Sequence, residues 1–232
     1  MRRFRHWTPR YIYHRLGVML YERTQPDAPW LGRSMVEILE TWLKPGDRGF
    51  EWGSGRSTVW FAERVGSLVS VEHNPVWYHR IHAELQRKGL QNVEYHLCED
   101  ERDYLSIADK SPPESFDFCL VDGVERDQCA LSAISLVKPG GIVIVDNCNW
   151  YLPTDSRSPF SRKPEEGPYT EKWAAYCDAV EGWRRIWTTN GVSDTSLWVK
   201  PAGMREWNHS VKDVEQLSVD VTARLNSVTS QE

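Results

Sequence analysis

Between residues 48 and 200 the hydrophobic pattern switches repeatedly between short apolar runs and longer stretches with a helical stripe. This alternation limits the fold more than any other feature. Residues 48–52, 68–72, 93–98, 116–122 and 142–145 read as strands, and the fourth is nearly all apolar, as a strand buried on both faces should be. Residues 57–65 read as a helix. A second is capped by Asn74, with Pro75 in its first turn, Trp77, Ile81 and Leu85 on one face, and Gly89 closing it. A third covers 127–137 and stops at Lys138-Pro139-Gly140-Gly141. Residues 153–168, rich in Ser, Pro and charge, look like a flexible loop or lid. A helix follows at 170–181. Strands at 183–188 and 195–199 are joined through Asn190-Gly191, a strong hairpin signal.

Alternating strands and helices followed by a hairpin imply an α/β fold. Its core is a doubly wound, mostly parallel, seven-stranded Rossmann-like sheet that ends in an antiparallel hairpin. In front of it lie N-terminal helices. Tyr11, Ile12, Leu16, Met19 and Leu20 recur at roughly helical spacing, and Met35, Ile38, Leu39 and Trp42 form a stripe over 31–43. The expected organisation is a helical extension at 1–47, the sheet domain at 48–200 and a polar tail at 201–232. At 232 residues the chain can bury a full α/β core without disulfides or a structural metal.

Charge narrows the partners. Residues 1–23 hold six arginines (Arg2, Arg3, Arg5, Arg10, Arg15, Arg23) against one acid, Glu22. The rest of the chain is left with 22 basic and 32 acidic side chains. So acidic a body argues against a nucleic-acid partner, which needs a basic face. The basic start lacks the continuous apolar core of a secretory signal, and no run approaches the length of a spanning helix. Cys98, Cys119, Cys129, Cys148 and Cys177 are odd in number and show no C-x-x-C spacing, which fits reduced thiols in the cytoplasm.

In doubly wound sheets, ligands bind at the carboxyl ends of the strands, near the point where strand order reverses. Each of the first five strands carries an acid at its end. The first strand runs through Glu51 into Trp52-Gly53-Ser54-Gly55-Arg56-Ser57-Thr58. Its glycines permit a tight turn and close backbone approach to a ligand, while Thr58 stands where a dinucleotide site wants a third glycine. Glu72 ends the second strand, where a carboxylate can accept both hydroxyls of a ribose. Glu99 and Asp100 end the third, Asp122 the fourth, and Asp146-Asn147 the fifth.

The run Glu-x-Gly-Ser-Gly-x-Ser-Thr, Val71-Glu72-His73, and Phe116-Asp117-Phe118-Cys119-Leu120-Val121-Asp122-Gly123 before Leu136-Val137-Lys138-Pro139-Gly140-Gly141 resembles the class I S-adenosylmethionine-dependent methyltransferases. The resemblance covers about 48–200 and makes that stretch an expected cofactor-binding domain. It implies that Glu51, Gly53, Ser54 and Gly55 shape the methionine end of the cofactor site. It further implies that Ser57 bonds the cofactor carboxylate, Glu72 holds the ribose, and His73, Glu99 and Asp100 lie near adenine. Asp122 would face the methionine amino group or the reacting centre, and Trp52 would pack on the cofactor side.

Asp122 with Asp146-Asn147, and Val145-Asp146-Asn147-Cys148-Asn149-Trp150 in particular, is similar to the pattern by which catechol and caffeoyl-coenzyme A O-methyltransferases bind a divalent metal. That similarity implies Mg²⁺ on Asp122, Asp146 and Asn147. The lysine those enzymes carry after the first Asp is absent, and the stretch is Gly123-Val124-Glu125-Arg126. The alternative is that Asp146-Asn147 is a polar turn with no metal. Asp122, Asp146 and Glu125 are the catalytic candidates, and Arg126 and Trp150 are placed on the acceptor side.

The expected activity is therefore S-adenosylmethionine-dependent methyl transfer, with O-methylation of a small molecule or a glycan favoured because the amino-methyltransferase motif is missing after the fourth strand. The competing readings are a catalytically silent cofactor-binding module serving a partner, and an enzyme docking on a membrane through its basic N-terminus. Packing of residues 1–30 over the cofactor or in a homodimer contact is favoured over membrane docking.

Overall fold

We describe residues 7–202 from a computed structural model of the chain. After two helices, α1 (Pro9–Thr24) and α2 (Arg33–Trp42), comes the alternating core. Its elements are β1 (Arg48–Trp52), α3 (Arg56–Ala62), β2 (Ser67–Glu72), α4 (Pro75–Lys88), β3 (Val93–Leu97), α5 (Glu101–Ser106), β4 (Phe116–Val121), α6 (Arg126–Leu136), β5 (Val137–Asp146), α7 (Glu171–Ala179), β6 (Arg184–Thr189) and β7 (Asp194–Val199). The seven strands lie in the order β3-β2-β1-β4-β5-β7-β6. β1 to β5 pair in parallel, and β7 runs antiparallel to both of its neighbours. Strand order reverses between β1 and β4.

Period-2 alternation sends side chains to two cores. Val143 and Val145 join Phe50, Trp52, Trp173 and Tyr176 on one face. Ile142 and Ile144 join Phe61, Phe118, Leu120 and the α2 residues Met35 and Leu39 on the other. Each such buried side chain contributes about 1.5–3 kcal/mol relative to exposure. Register between β1 and β4 is tight, since a Cβ on Gly49 would fall 2.1 Å from the Phe118 ring. Trp52 is fully buried against Phe50, so it packs in the core rather than toward a ligand.

Several expectations change. β5 begins at Val137 and carries the Pro-Gly-Gly run as a bulge, because Gly140 N–H donates to Lys200 O and Gly141 O accepts from Lys200 N–H. α5 has six residues, too few to show a periodic stripe, and is set by the Asp100 cap. The hairpin loop spans residues 190–193, with the Asn190 side chain accepting from the N–H groups of Val192 and Ser193. Residues 153–168 are pinned rather than a free lid. Asn149 donates to Pro159 O, Arg162 N–H donates to Asn149 O, and Ser158 donates to buried Asp194 at 2.6 Å.

No residue of α1 is buried, and Tyr13, Leu16 and Leu20 are exposed. His14 of α1 lies against the hairpin loop at Gly191, and Tyr21 faces Arg33 and Glu40 of α2. Arg2, Arg3 and Arg5 of the basic segment, and tail residues 203–232, lie outside the described residues. All five cysteines are free thiols. Among the described residues, no helix is long and apolar enough to cross a membrane.

Candidate functional site

β1 leaves the sheet through Gly53, whose φ of +90° suits glycine. A Cβ there would lie 2.5 Å from Gly123 N, and one on Gly123 would lie 1.9 Å from the Tyr104 hydroxyl. The exits of β1 and β4 therefore touch at the switch point, and both need glycine. Behind the turn, Glu51 is fully buried. Its Oε2 accepts from Thr58 Oγ1 at 2.6 Å and from Ser70 Oγ at 2.7 Å, while Oε1 has no hydrogen-bond partner. Burial pushes its pKa up to about 7.

Glu72, at the end of β2, is also buried. Oε2 accepts from Ser54 N–H at 3.0 Å and Ser54 Oγ at 2.7 Å, and Oε1 accepts from the N–H groups of His73 and Asn74. Ser54 Oγ also bonds the Tyr95 hydroxyl, and Trp77 Nε1 donates to Ser54 O at 2.6 Å. Ser54 thus puts its hydroxyl on the Glu72 carboxylate.

Across the switch point one side chain organises everything. Arg126 Nε donates to Gly123 O. Nη1 donates to Asp146 O at 2.6 Å and Asn147 Oδ1 at 3.1 Å. Nη2 donates to Asp122 O at 2.7 Å and Asp122 Oδ1 at 2.8 Å. A guanidinium has five N–H donors, and all five are used. Asp146 is buried and accepts from Thr195 Oγ1 of β7 at 2.5 Å. Burial, and then the charge of Asp122, push its pKa up to about 7. Burial also raises Asp122, against the pull of Arg126.

Two assignments fall with this geometry. Arg126 is not an acceptor-side ligand, because no donor remains for one. Nor do Asp122, Asp146 and Asn147 make a metal site. As placed, a guanidinium takes Asp122 Oδ1 and Asn147 Oδ1 and sits on the Asp146 backbone carbonyl, so a cation there would have to displace it.

A cleft of about 620 Å³ opens at the switch point. It is lined by Gly53, Ser54, Glu72, His73, Trp77, Asp122 and their neighbours, and its size suits a small ligand. Ser57 and Gly55 lie beneath it at the start of α3, and Ser57 is buried. Glu99 is exposed, and exposed Asp100 spends its carboxylate capping α5. Glu125, in a left-handed conformation (φ 47°), bonds Gln128 and does not line the cleft. Trp150 is 40% exposed, with its ring edge-on to Phe160. Sequence reasoning missed Ser70, Thr58 and Thr195, which hold the acids, and Tyr95, which bonds the Ser54 hydroxyl. Ser70 carried a signal, as a polar residue inside the apolar run of β2.

No protein-family model matches the sequence, and neither does any curated protein. Among solved structures the chain is similar to the O-methyltransferase TomG from Streptomyces achromogenes, involved in tomaymycin synthesis and solved in complex with SAM. Identity is 22% over 87% of this chain and 100% of that one, with a TM-score of 0.54. It is also similar to a candidate caffeoyl-CoA O-methyltransferase from Staphylococcus aureus, at 13% identity over 82% and 96% of the two chains, again with a TM-score of 0.54. At these identities the likeness establishes the fold. The chain has the Rossmann-like methyltransferase fold, a seven-stranded sheet ending in an antiparallel hairpin and flanked by helices.

Proposed function

We propose that this chain transfers a methyl group from S-adenosylmethionine to an oxygen of a small-molecule or glycan acceptor. The observation that carries the reading is the cleft itself. A glycine turn that tolerates no side chain, a buried carboxylate at the end of β2 and a second carboxylate at the end of β4 all face one space at the switch point. Bound there, S-adenosylmethionine supplies a methyl group already activated on a sulfonium, so the protein has mainly to align it with a nucleophile.

The residues present fit that ligand. Glu72 is placed to accept ribose hydroxyls, which compete with Ser54 Oγ for Oε2. Glu51 lies fully buried behind the Gly53 turn and does not line the cleft, with Ser57, Thr58 and Ser70 about its carboxyl. Of the three catalytic candidates, Asp122 lines the cleft, whereas Asp146 is buried behind Arg126 and Glu125 faces away. Asp122 is therefore the group to take the proton from an acceptor hydroxyl, with Arg126 fixing its orientation. Trp150, exposed just beyond β5, offers a ring face for the acceptor.

Calorimetric titration of the protein with S-adenosylmethionine tests the reading. Saturable binding by the wild type and much weaker binding by Glu72→Ala are expected. A wild-type protein that does not bind S-adenosylmethionine removes the proposal.

A further inference from the structure

A larger cavity, of about 1190 Å³, lies apart from the switch-point cleft, between α1, residues 153–164 and β6. Arg10, Arg157 and Arg185 converge on it from these three segments, and Asp155 is the one acid among its described lining residues. The three arginines are exposed, and none forms an ion pair among the described residues. Arg10 Nε meets His14 Nε2 at 3.4 Å, and the Arg185 guanidinium lies 5.3 Å from the centre of the Trp187 ring. Buried Asp194 accepts from Ser158 Oγ and Trp187 Nε1, bonds that hold the cavity wall, and pairs with none of the three arginines.

Three cations gathered in one concavity repel one another, and the body of this chain is otherwise acidic. An anion in their midst relieves that repulsion. Guanidinium groups match the oxygens of phosphate and sulfate in pairs, and the fixed wall pins two of them relative to each other. The volume exceeds what a bare anion fills, so the ligand carries an organic body as well.

We propose that this cavity binds a small molecule bearing a phosphate or sulfate group, held by Arg10, Arg157 and Arg185. The inference does not depend on methyl transfer at the other cleft, and the two fail separately.

Inorganic pyrophosphate is the probe, titrated calorimetrically into the full-length protein at low and at physiological salt. The wild type should bind it, more weakly as salt rises. Arg157→Ala and Arg185→Ala should each weaken binding by about tenfold, and together by about a hundredfold. Arg87→Ala, which removes an equal charge from an exposed site on α4, should leave it unchanged. Both cavity substitutions sit at exposed positions and leave the fold intact. No pyrophosphate binding at either salt, or equal losses in Arg87→Ala and Arg185→Ala, would overturn the proposal. Sedimentation with phosphatidylglycerol vesicles without any response to pyrophosphate would also overturn it, in favour of a lipid surface. Titration of S-adenosylmethionine into the double variant, expected to match wild type, keeps this result separate from the methyltransferase reading.

Discussion

Glu51 and Glu72, on one side of the switch point, are answered by hydroxyls and backbone N–H groups. Asp122, on the other side, is held by a guanidinium that also ties the backbone carbonyl of Asp146, whose own carboxylate takes the Thr195 hydroxyl. The difference separates two jobs. A hydroxyl such as Ser54 Oγ can be exchanged for a ligand hydroxyl at little cost, so the β1–β2 half is suited to admit a ligand. A guanidinium with five filled donors cannot be exchanged. The β4–β5 half is therefore a fixed clamp that joins two strand exits and sets the direction of Asp122.

The largest expected effect comes from removing the clamp. Arg126→Ala leaves three backbone carbonyls, the Asn147 side-chain amide oxygen and the Asp122 carboxylate without their shared donor, and the loss of one partner from such a buried set costs roughly 3–5 kcal/mol. Urea unfolding should show it as a lower midpoint with an unchanged slope. Arg126→Lys should recover only a minor part, since an ammonium has three donors and no planar fork. A loss below about 1 kcal/mol, the range of exposed ion pairs, would deny the clamp.

Next comes the buried acid on the other side. Unfolded, Glu51 releases its proton near pH 4.5, and folded it does so near pH 7. Between those values the folded state binds the extra proton, so stability is greatest at the acid end and falls as pH rises toward 7. The size is roughly 3 kcal/mol for a shift of this extent in a fully buried group. Unfolding free energies across that window should fall with pH in the wild type. In Glu51→Gln the slope should flatten. An equal slope in both proteins would place the titrating group elsewhere, with Asp146 the first alternative.

The acids of both halves were legible in the sequence, what answers each of them was not, and the reason is physical. Acids at the strand ends, the glycine turn and the order of elements follow from local pattern, because a strand exit and a tight turn depend on neighbours in the chain. What each acid bonds depends on residues far away in sequence, such as Thr195 for Asp146 and Ser70 for Glu51. Arg126 shows the same limit. An arginine four residues after Asp122 reads as a free ligand group until Asn147, 21 residues on, is seen to take one of its donors. α5 escaped notice for another reason, since six residues carry less than two turns of pattern.

On the ligand side of the comparison, Glu72→Ala should weaken S-adenosylmethionine binding by about a hundredfold, the loss of hydrogen bonds from two hydroxyls to a charged acceptor. Ser54→Ala tests the exchange directly. Without its hydroxyl, Glu72 Oε2 has a free lone pair before the ligand arrives. Affinity should then rise slightly or hold, and a loss as large as that of Glu72→Ala would show that Ser54 is a ligand contact rather than a placeholder.

The smallest expected effect is also the sharpest difference between the halves. A divalent cation entering between Asp122, Asp146 and Asn147 must expel a guanidinium of like charge from five hydrogen bonds, and Mg²⁺ gives up its own water reluctantly. Magnesium should therefore leave the melting temperature of the wild type unmoved, where a specific ligand would raise it in proportion to the logarithm of its concentration. A chelator should leave both S-adenosylmethionine affinity and methyl transfer as they were. In Arg126→Ala the competing cation is gone and the oxygens of Asp122 and Asn147 are released. A magnesium-dependent rise in melting temperature in that variant, with none in the wild type, would identify the guanidinium as the group that stands where the metal would be. A rise in the wild type would instead return the metal to the site and make Arg126 its neighbour.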